Sequence, residues 1–275
     1  MKTVLEVIQA TTPYLQKNGV ESARLNIEHL LAHVLGKKRM DLYMEFDRPL
    51  GDQELEPLRG LVKRRAAGEP LQHLLGTVEF LGHTFLSDKR ALVPRSETEQ
   101  LCELLAKEPA PARLLDVGTG SGVIALSLAA VWPDACVEAV DVSDEALSLA
   151  RENAARLGLA ERVIFTKCDL LEGIADEFQL IVANLPYIDA AEIPALAREV
   201  QHDPMIALTP GDDGLSLIHR LIASAPRHLR GLLALEIGHD QSPRVCEALA
   251  AHNFQDIRPL ADYQGRQRFV FAKYG

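Results

Sequence analysis

The chain has 275 residues, 47% of them hydrophobic and 25% charged, with a formal net charge of −10, the balance of an ordinary soluble globular protein. No apolar run approaches the roughly 18 residues that a membrane span needs, and the N-terminal stretch MKTVLEVIQATTPYLQ, with Glu6 among alternating polar and apolar residues, does not read as a secretory signal. Residues 1–75 carry a net +1 and the remainder −11, so the acidic body repels a phosphate backbone and direct nucleic-acid binding is not expected.

Residues 3–75 read as helical: Val4, Leu5 and Ile8, then Leu25, Ile27, Leu30, Leu31 and Val34, recur at helical spacing, with breaks expected near Pro13, Asn18-Gly19 and Gly36. A further helix is expected over 52–67, ending at Gly68, with Lys63-Arg64-Arg65 as a solvated helix end whose positive charge complements the dipole. His29 and His33 lie one helical turn apart, but no third ligand has suitable spacing, so no metal site is expected. The four cysteines lie far apart without a C-x-x-C pair and read as reduced thiols of a cytoplasmic protein. Residues 76–93 change character: Val78, Phe80, Phe85 and Leu86 flank a turn at Leu81-Gly82, which predicts a hairpin linking a helical domain (1–75) to a larger one (94–275). Ser96 followed by Glu99 reads as a capping box for a helix starting near Glu97.

From Arg113 strands and helices alternate: strands up to Gly118, over CVEAVDV, over 163–168, at LIVAN and at LLALEI, with helices over 144–157, 214–229 and 244–251. This order predicts a doubly wound, mainly parallel α/β sheet. The last two strands, over 256–260 and 268–274, are joined only by ADYQGRQ, too short for a helical crossover, so the final strand should run antiparallel.

In such sheets ligands sit beyond the carboxyl ends of the strands, and the polar residues there are read together. Residues 113–122, RLLDVGTGSG, form a strand, a glycine-rich turn and the start of a helix, which lets backbone approach a ligand and aims free N–H groups at it. A dinucleotide fingerprint would need G-x-G-x-x-G, but the third glycine comes one residue early, at Gly122. Asp141 ends the second strand and is placed to accept two ribose hydroxyls. Asp169 ends the third, where it can bond an adenine amine while Cys168 and Leu170 pack on the ring. Asp116 can face a charged amino-acid end, directly or through water. Three carboxylates suit a cationic ligand better than a pyrophosphate. The fourth strand ends in Asn184-Leu185-Pro186-Tyr187. The Asn184 side-chain oxygen and the Leu185 carbonyl can each accept from an –NH₂ group, Pro186 shapes the turn, and Tyr187 offers a flat face to a planar amine. Orientation then supplies much of the rate.

The pattern D-x-G-x-G-x-G resembles the cofactor loop of S-adenosylmethionine-dependent methyltransferases, and with N-x-P-Y it resembles amino-group methyltransferases. GEPLQHLLG (68–76), VPRSETEQL (93–101), IVANLPYI, HDPMIALTPGDDGLSLIHRLI and LALEIG extend the likeness over nearly the whole chain to the glutamine methyltransferases that modify peptide chain release factors, the HemK/PrmC family. The resemblance implies a Rossmann-like seven-stranded methyltransferase sheet, an N-terminal helical domain that recognises the substrate, and a cytoplasmic enzyme of translation termination. It also implies transfer of a methyl group from S-adenosylmethionine, leaving S-adenosylhomocysteine, to the GGQ glutamine of release factors. A monomer is expected. Implied cofactor contacts are Asp116, Gly118, Thr119, Gly120, Ser121, Gly122, Asp141, Asp169, Leu170 and Asn184. Asn184 and Tyr187 are the implied catalytic residues, with Leu185 and Pro186 completing the substrate site. Two departures stand out: N-L-P-Y replaces the usual N-P-P-Y, and Ser96 replaces the proline of PR-P-ETE. N-L-P-Y also occurs in ribosomal-RNA adenine dimethylases, and PRS, without the following ETE, in ribosomal-protein glutamine methyltransferases, which keeps an adenine-amine methyltransferase of RNA or DNA and a ribosomal-protein glutamine methyltransferase as alternatives.

Overall fold

The computed structural model of the chain describes residues 2–211 and 213–275. Met1 and Asp212 of the HDPMIALTPGDDGLSLIHRLI run lie outside the described residues. The fold divides into two units, Met1–Thr77 with Ala197–His202, and Val78–Leu196 with Asp203–Gly275.

In the first unit, α1 (Val4–Lys17) opens on a capping box: Glu6 N–H donates to Thr3 Oγ1 at 3.3 Å and Thr3 N–H to Glu6 Oε2 at 2.8 Å. The break expected at Pro13 does not occur. Proline forfeits only the bond to the Gln9 carbonyl, and both residues lie on the exposed side of α1, where water can satisfy that carbonyl. α2 (Ala23–Leu35) does stop at Gly36, whose φ of 62° is the left-handed cap a glycine takes without strain. A 3-10 turn (Arg39–Met44) leads to α3 (Asp52–Ala66) and the short α4 (Leu71–Leu75) around a core of Ile8, Leu15, Ile27, Leu30, Leu42 and Leu50. The end of α3 is not the solvated cluster expected. Arg64 does pair with Glu69 at the surface, but Arg65 is buried, and its guanidinium donates to Asn26 Oδ1 at 2.6 Å and to the Glu69 carbonyl at 3.0 Å and pairs with Glu199. A buried guanidinium needs such partners, and Asn26 and Glu199 lie too far along the chain for local spacing to reveal them.

β1 (Thr77–Phe80) and β2 (His83–Leu86) form the predicted hairpin around Leu81-Gly82. The capping box expected for α5 (Ser96–Leu105) is absent. Ser96 is already helical with its hydroxyl on Glu97, Arg95 stands at the cap, and the Glu99 carboxylate accepts from Leu81 N–H at 2.7 Å, tying α5 to the hairpin turn.

The large sheet follows from β3 (Arg113–Val117), α6 (Val123–Val131), β4 (Cys136–Asp141), α7 (Asp144–Arg156), β5 (Val163–Lys167) and β6 (Phe178–Asn184). Then come the short α8 (Met205–Leu208), α9 (Ser216–Ser224), β7 (Leu229–Glu236), α10 (Ser242–Ala251), β8 (Gln255–Ala261) and β9 (Gln267–Tyr274). The seven strands lie in the order β5-β4-β3-β6-β7-β9-β8, parallel except for β9, which is antiparallel to both neighbours as the short connection requires.

Alternation along the strands sorts side chains to two faces. Leu115, Val117, Ile181, Ala183, Leu233 and Leu235 pack under α9 and α10, whereas Leu114, Leu180, Val182 and Ala234 pack under α5 and α6. The same parity carries Asp116, Asn184 and Glu236 to the α5/α6 face. Asn184 and Glu236 stand side by side in the β6–β7 register, which a bulge between Phe178 and Leu180 sets. Gly231 makes that bulge possible: its φ is 153°, and a Cβ there would lie 2.2 Å from the Gln179 carbonyl oxygen. Gly231→Ala is therefore expected to lower the stability of the second unit by about 2 kcal/mol or more. A denaturant midpoint equal to that of the unsubstituted protein would contradict it.

Candidate active site

The β3–α6 turn is built by its glycines. Gly118, Gly120 and Gly122 have φ of 75°, 56° and 83°. Gly118 N–H and Thr119 N–H both donate to the Val140 carbonyl, at 2.8 and 3.0 Å, and this pins the turn against β4. A Cβ on Gly118 would lie 2.9 Å from Leu185 Cδ2, so the absence of a side chain is what lets the β6 turn approach the loop.

A single cavity gathers most of the residues read from the sequence. Its wall takes Gly118, Thr119, Gly120 and Ser121 from the glycine turn, Asp141 from β4, Cys168, Asp169 and Leu170 from beyond β5, and Asn184, Leu185 and Pro186 from the end of β6. Asp141 is held open-handed: Oδ2 accepts from Gly120 N–H at 2.9 Å and Oδ1 from Ser143 N–H at 2.9 Å, leaving each oxygen a further lone pair toward the cavity. Burial raises its pKa and the backbone donors pull the other way. Asp169 lines the cavity while its Oδ2 pairs with Arg220 at 2.9 Å, and Leu170 beside it adopts φ 54°, a strained value for a leucine.

Asp116, Gly122 and Tyr187 lie outside the described wall. Gly122 instead lets α7 pass close, since a Cβ there would meet Ala150 Cβ at 3.1 Å. Asp116 is fully buried beneath the loop, where Oδ2 accepts from Thr119 Oγ1 at 2.6 Å and from Ala125 N–H at 3.1 Å. Its Oδ1 is buried with no hydrogen-bond partner among the described residues. Burial, against those two bonds, pushes the carboxyl from 3.8 up to about 7, and the neighbouring Asp141 adds to the rise. Tyr187 is half-buried on the apolar cluster under α9 and α10, its carbonyl accepts from Gln241 Nε2 at 2.9 Å, and burial followed by the Glu236 charge raises its phenol.

Residues not singled out by sequence complete the wall: Arg90, Ala91, Leu92, Pro94 and Thr98 ahead of and within α5, and Pro204, Ile206 and Ala207 around α8. Behind Thr98 lies Glu236, only 2% exposed. Burial pushes Glu236 from 4.5 up to about 7, opposed first by the Thr98 hydrogen bond, with Glu97 raising it further and Arg268 and Asn184 lowering it. Both residues lie in runs that carry the family likeness, Thr98 in VPRSETEQL and Glu236 in LALEIG, but the runs gave them no role: Ser96 and Glu99 drew the first into a capping motif, and Glu236 stood out only as a charge closing an apolar strand.

A ligand suited to this cavity carries hydroxyls for Asp141, a ring for the apolar strip of Val142, Cys168 and Leu170, and positive charge near the carboxylates. The unpartnered Asp116 Oδ1 behind the loop fits that requirement. Asn184 and Leu185 line the same space.

The family model described as PrmC N-terminal domain matches residues 6–76, and the one described as methyltransferase small domain matches 96–211. The release factor glutamine methyltransferase of Geobacter sulfurreducens is 41% identical over 99% of this chain and 97% of its own length, and that of Deinococcus radiodurans 42% over 98% and 97%. Among solved structures, a methyltransferase from Pyrococcus furiosus has a TM-score of 0.55 at 18% identity, covering 71% of this chain and 90% of its own. The hMettl16 catalytic domain in complex with a MAT2A 3'UTR hairpin has 0.56 at 17%, covering 81% and 80%. At those identities the two structures share the fold.

The raised carboxyls have a consequence for stability. Between the ordinary 3.8 of Asp116 and its folded value of about 7, the unfolded chain releases a proton that the folded protein keeps. The stability contributed is complete below pH 4 and is lost as pH rises through about 7. Asp116→Asn keeps an acceptor for Thr119 and Ala125 but cannot ionise, so the fall in thermal midpoint from pH 4 to 7 should be shallower in the variant. Parallel curves for the two proteins would refute the buried, proton-retaining carboxyl.

Proposed function

We propose, from the premise that this chain belongs to the release factor glutamine methyltransferase family, that it methylates the side-chain amide nitrogen of the glutamine in the GGQ motif of peptide chain release factors, with S-adenosylmethionine as methyl donor. The observation that carries this reading is the shared cavity: the Asn184-Leu185-Pro186 turn lines the same space as the glycine loop and Asp141.

S-adenosylmethionine brings an electrophilic methyl group on a sulfonium. The chain's own residues do the rest by holding and orienting. Asp141 would accept the two ribose hydroxyls, Leu170 and Cys168 would flank the adenine with Asp169 at its amine, and the glycine turn would allow close approach of backbone N–H groups. The Asp116 carboxyl behind the loop would act on the amino-acid end through a bridging water. Asn184 Oδ1 and the Leu185 carbonyl accept the two hydrogens of the glutamine –NH₂, which turns the nitrogen lone pair toward the methyl carbon and increases its availability. The nitrogen gains a methyl and loses one proton to water, so no strong base is needed. Tyr187, packed against the apolar cluster under α9 and α10, offers its ring as a flat face to the planar amide. The first unit, matched by the PrmC N-terminal domain, supplies recognition of the release factor. The enzyme works as a cytoplasmic monomer on a protein substrate, in keeping with its acidic second unit. Among the described residues, no helix is long and apolar enough to cross a membrane.

The test is transfer of labelled methyl to purified release factor, to its GGQ Gln-to-Ala variant, to ribosomal RNA and to ribosomal protein. Label confined to the unmodified release factor is expected. Asn184→Ala should lower kcat by about 100-fold or more while leaving S-adenosylmethionine binding within a few-fold. Label in RNA or in ribosomal protein, with none in release factor, would overturn the assignment.

A further inference from the structure

An asparagine at the end of β6 can present either of two faces to a substrate. The carboxamide oxygen and nitrogen are nearly the same size, so packing does not choose between them, and only the hydrogen-bond network does. The choice matters chemically. An –NH₂ substrate needs an acceptor, and a flipped amide would set donor against donor.

We propose that Thr98 and Glu236 are positioning residues that lock the Asn184 amide with Oδ1 toward the substrate and Nδ2 away from it. The contacts form a one-way chain. Asn184 Nδ2 donates to Thr98 Oγ1 at 3.1 Å, and Thr98 Oγ1 donates to Glu236 Oε2 at 2.9 Å. The Asn184 side chain also lies close enough to Glu236 to lower its pKa. A hydroxyl has one hydrogen. Committed to Glu236, it leaves Thr98 only lone pairs for Asn184, and lone pairs can receive Nδ2 but not Oδ1. With Glu236 Oε2 accepting from the hydroxyl, the direction of the chain is set at Glu236 and transmitted to the amide.

The geometry around the chain supports this role. Thr98 and Glu236 are 3% and 2% exposed, so bulk water does not compete for these bonds. Asn184 and Glu236 are paired residues of adjacent parallel strands, and α5 lowers Thr98 onto the same face. Burial and Glu97 on α5 favour the protonated form of Glu236, whereas the Thr98 bond, Arg268 at the start of β9 and Asn184 favour the ionised one. A buried carboxyl in an otherwise apolar layer is costly. A structural purpose would be met as well by an apolar side chain, whereas polarity at Asn184 needs an acceptor.

This inference rests on the reading that Asn184 accepts from a substrate amine, and the experiment separates the two. Wild type, Thr98→Val, Thr98→Ser and Glu236→Gln are compared in labelled-methyl transfer to release factor, with S-adenosylmethionine affinity and thermal midpoint measured on each. Thr98→Val keeps the shape and removes the hydroxyl, and it should lower kcat about 10- to 100-fold with KM and cofactor affinity moving less than about threefold. Thr98→Ser restores the hydroxyl and should recover kcat to within about threefold of wild type. Glu236→Gln can both donate and accept, so it should lose kcat without the KM shift of a binding defect. A folded Thr98→Val enzyme with wild-type kcat would overturn the proposal, as would a serine variant no better than valine. If wild type ignores release factor but methylates another amine, the glutamine reading falls, and the same variants assayed on that amine still decide the relay.

Discussion

Side chains alternate along a strand, so a slip of one residue between β6 and β7 would send Asn184 and Glu236 to opposite faces of the sheet. The bulge across from Gly231 prevents this. It consumes the odd residue between Leu229 and Leu232 and brings Leu180, Val182 and Asn184 into step with Leu232, Ala234 and Glu236. Five residues downstream the consequence is chemical: a carboxamide and a carboxyl end adjacent strands on one face, under the helix that supplies Thr98. The glycine at the amino end of β7 thus specifies the polar constellation at its carboxyl end, with the intervening apolar layer as the rigid spacer.

The same parity places Asp116 on this face beneath the glycine turn, and so two buried carboxyls stand within one apolar layer, both pushed up to about 7 by burial. Neither is rescued by an ion pair at close range; each is held by a threonine hydroxyl, and Asp116 by one further hydrogen bond. Burying them weakens the fold, and such perturbed groups concentrate where function needs them. In this methyltransferase fold they flank the two halves of the cavity, Asp116 behind the glycine turn and Glu236 behind the Asn184 turn.

What the sequence made legible was whatever depends on periodicity and on punctuation. The seven strands, their closing antiparallel member, the hairpin at Leu81-Gly82 and the family follow from alternation, loop length and short motifs, and the structure and the relatives agree. Local motifs without tertiary context misled. Ser96 and Glu99 have capping-box spacing, yet Glu99 finds a better use on Leu81 N–H. Lys63-Arg64-Arg65 reads as a charged helix end, yet Arg65 turns inward to Asn26 and Glu199. Pro13 reads as a break, but a helix tolerates the loss of one bond at its exposed face. Thr98 and Glu236 were invisible for a related reason: their meaning exists only once residues 86 and 138 positions apart are neighbours.

Leu185 shows how a departure from a motif can be read physically. Where the family pattern has N-P-P-Y, this chain places a leucine whose side chain is 4% exposed, within the apolar cluster under α9 and α10. Its Cδ2 approaches Gly118 so closely that any Cβ there would lie 2.9 Å away. In this chain the Asn184 turn and the glycine turn are thus keyed together by a close apolar contact. The leucine gives the Asn184 turn an apolar anchor, while the Leu185 carbonyl is supplied by the backbone whatever the side chain. Leu185 and Gly118 are therefore coupled: enlarging Gly118 would push on Leu185, and the two halves of the cavity would be displaced together.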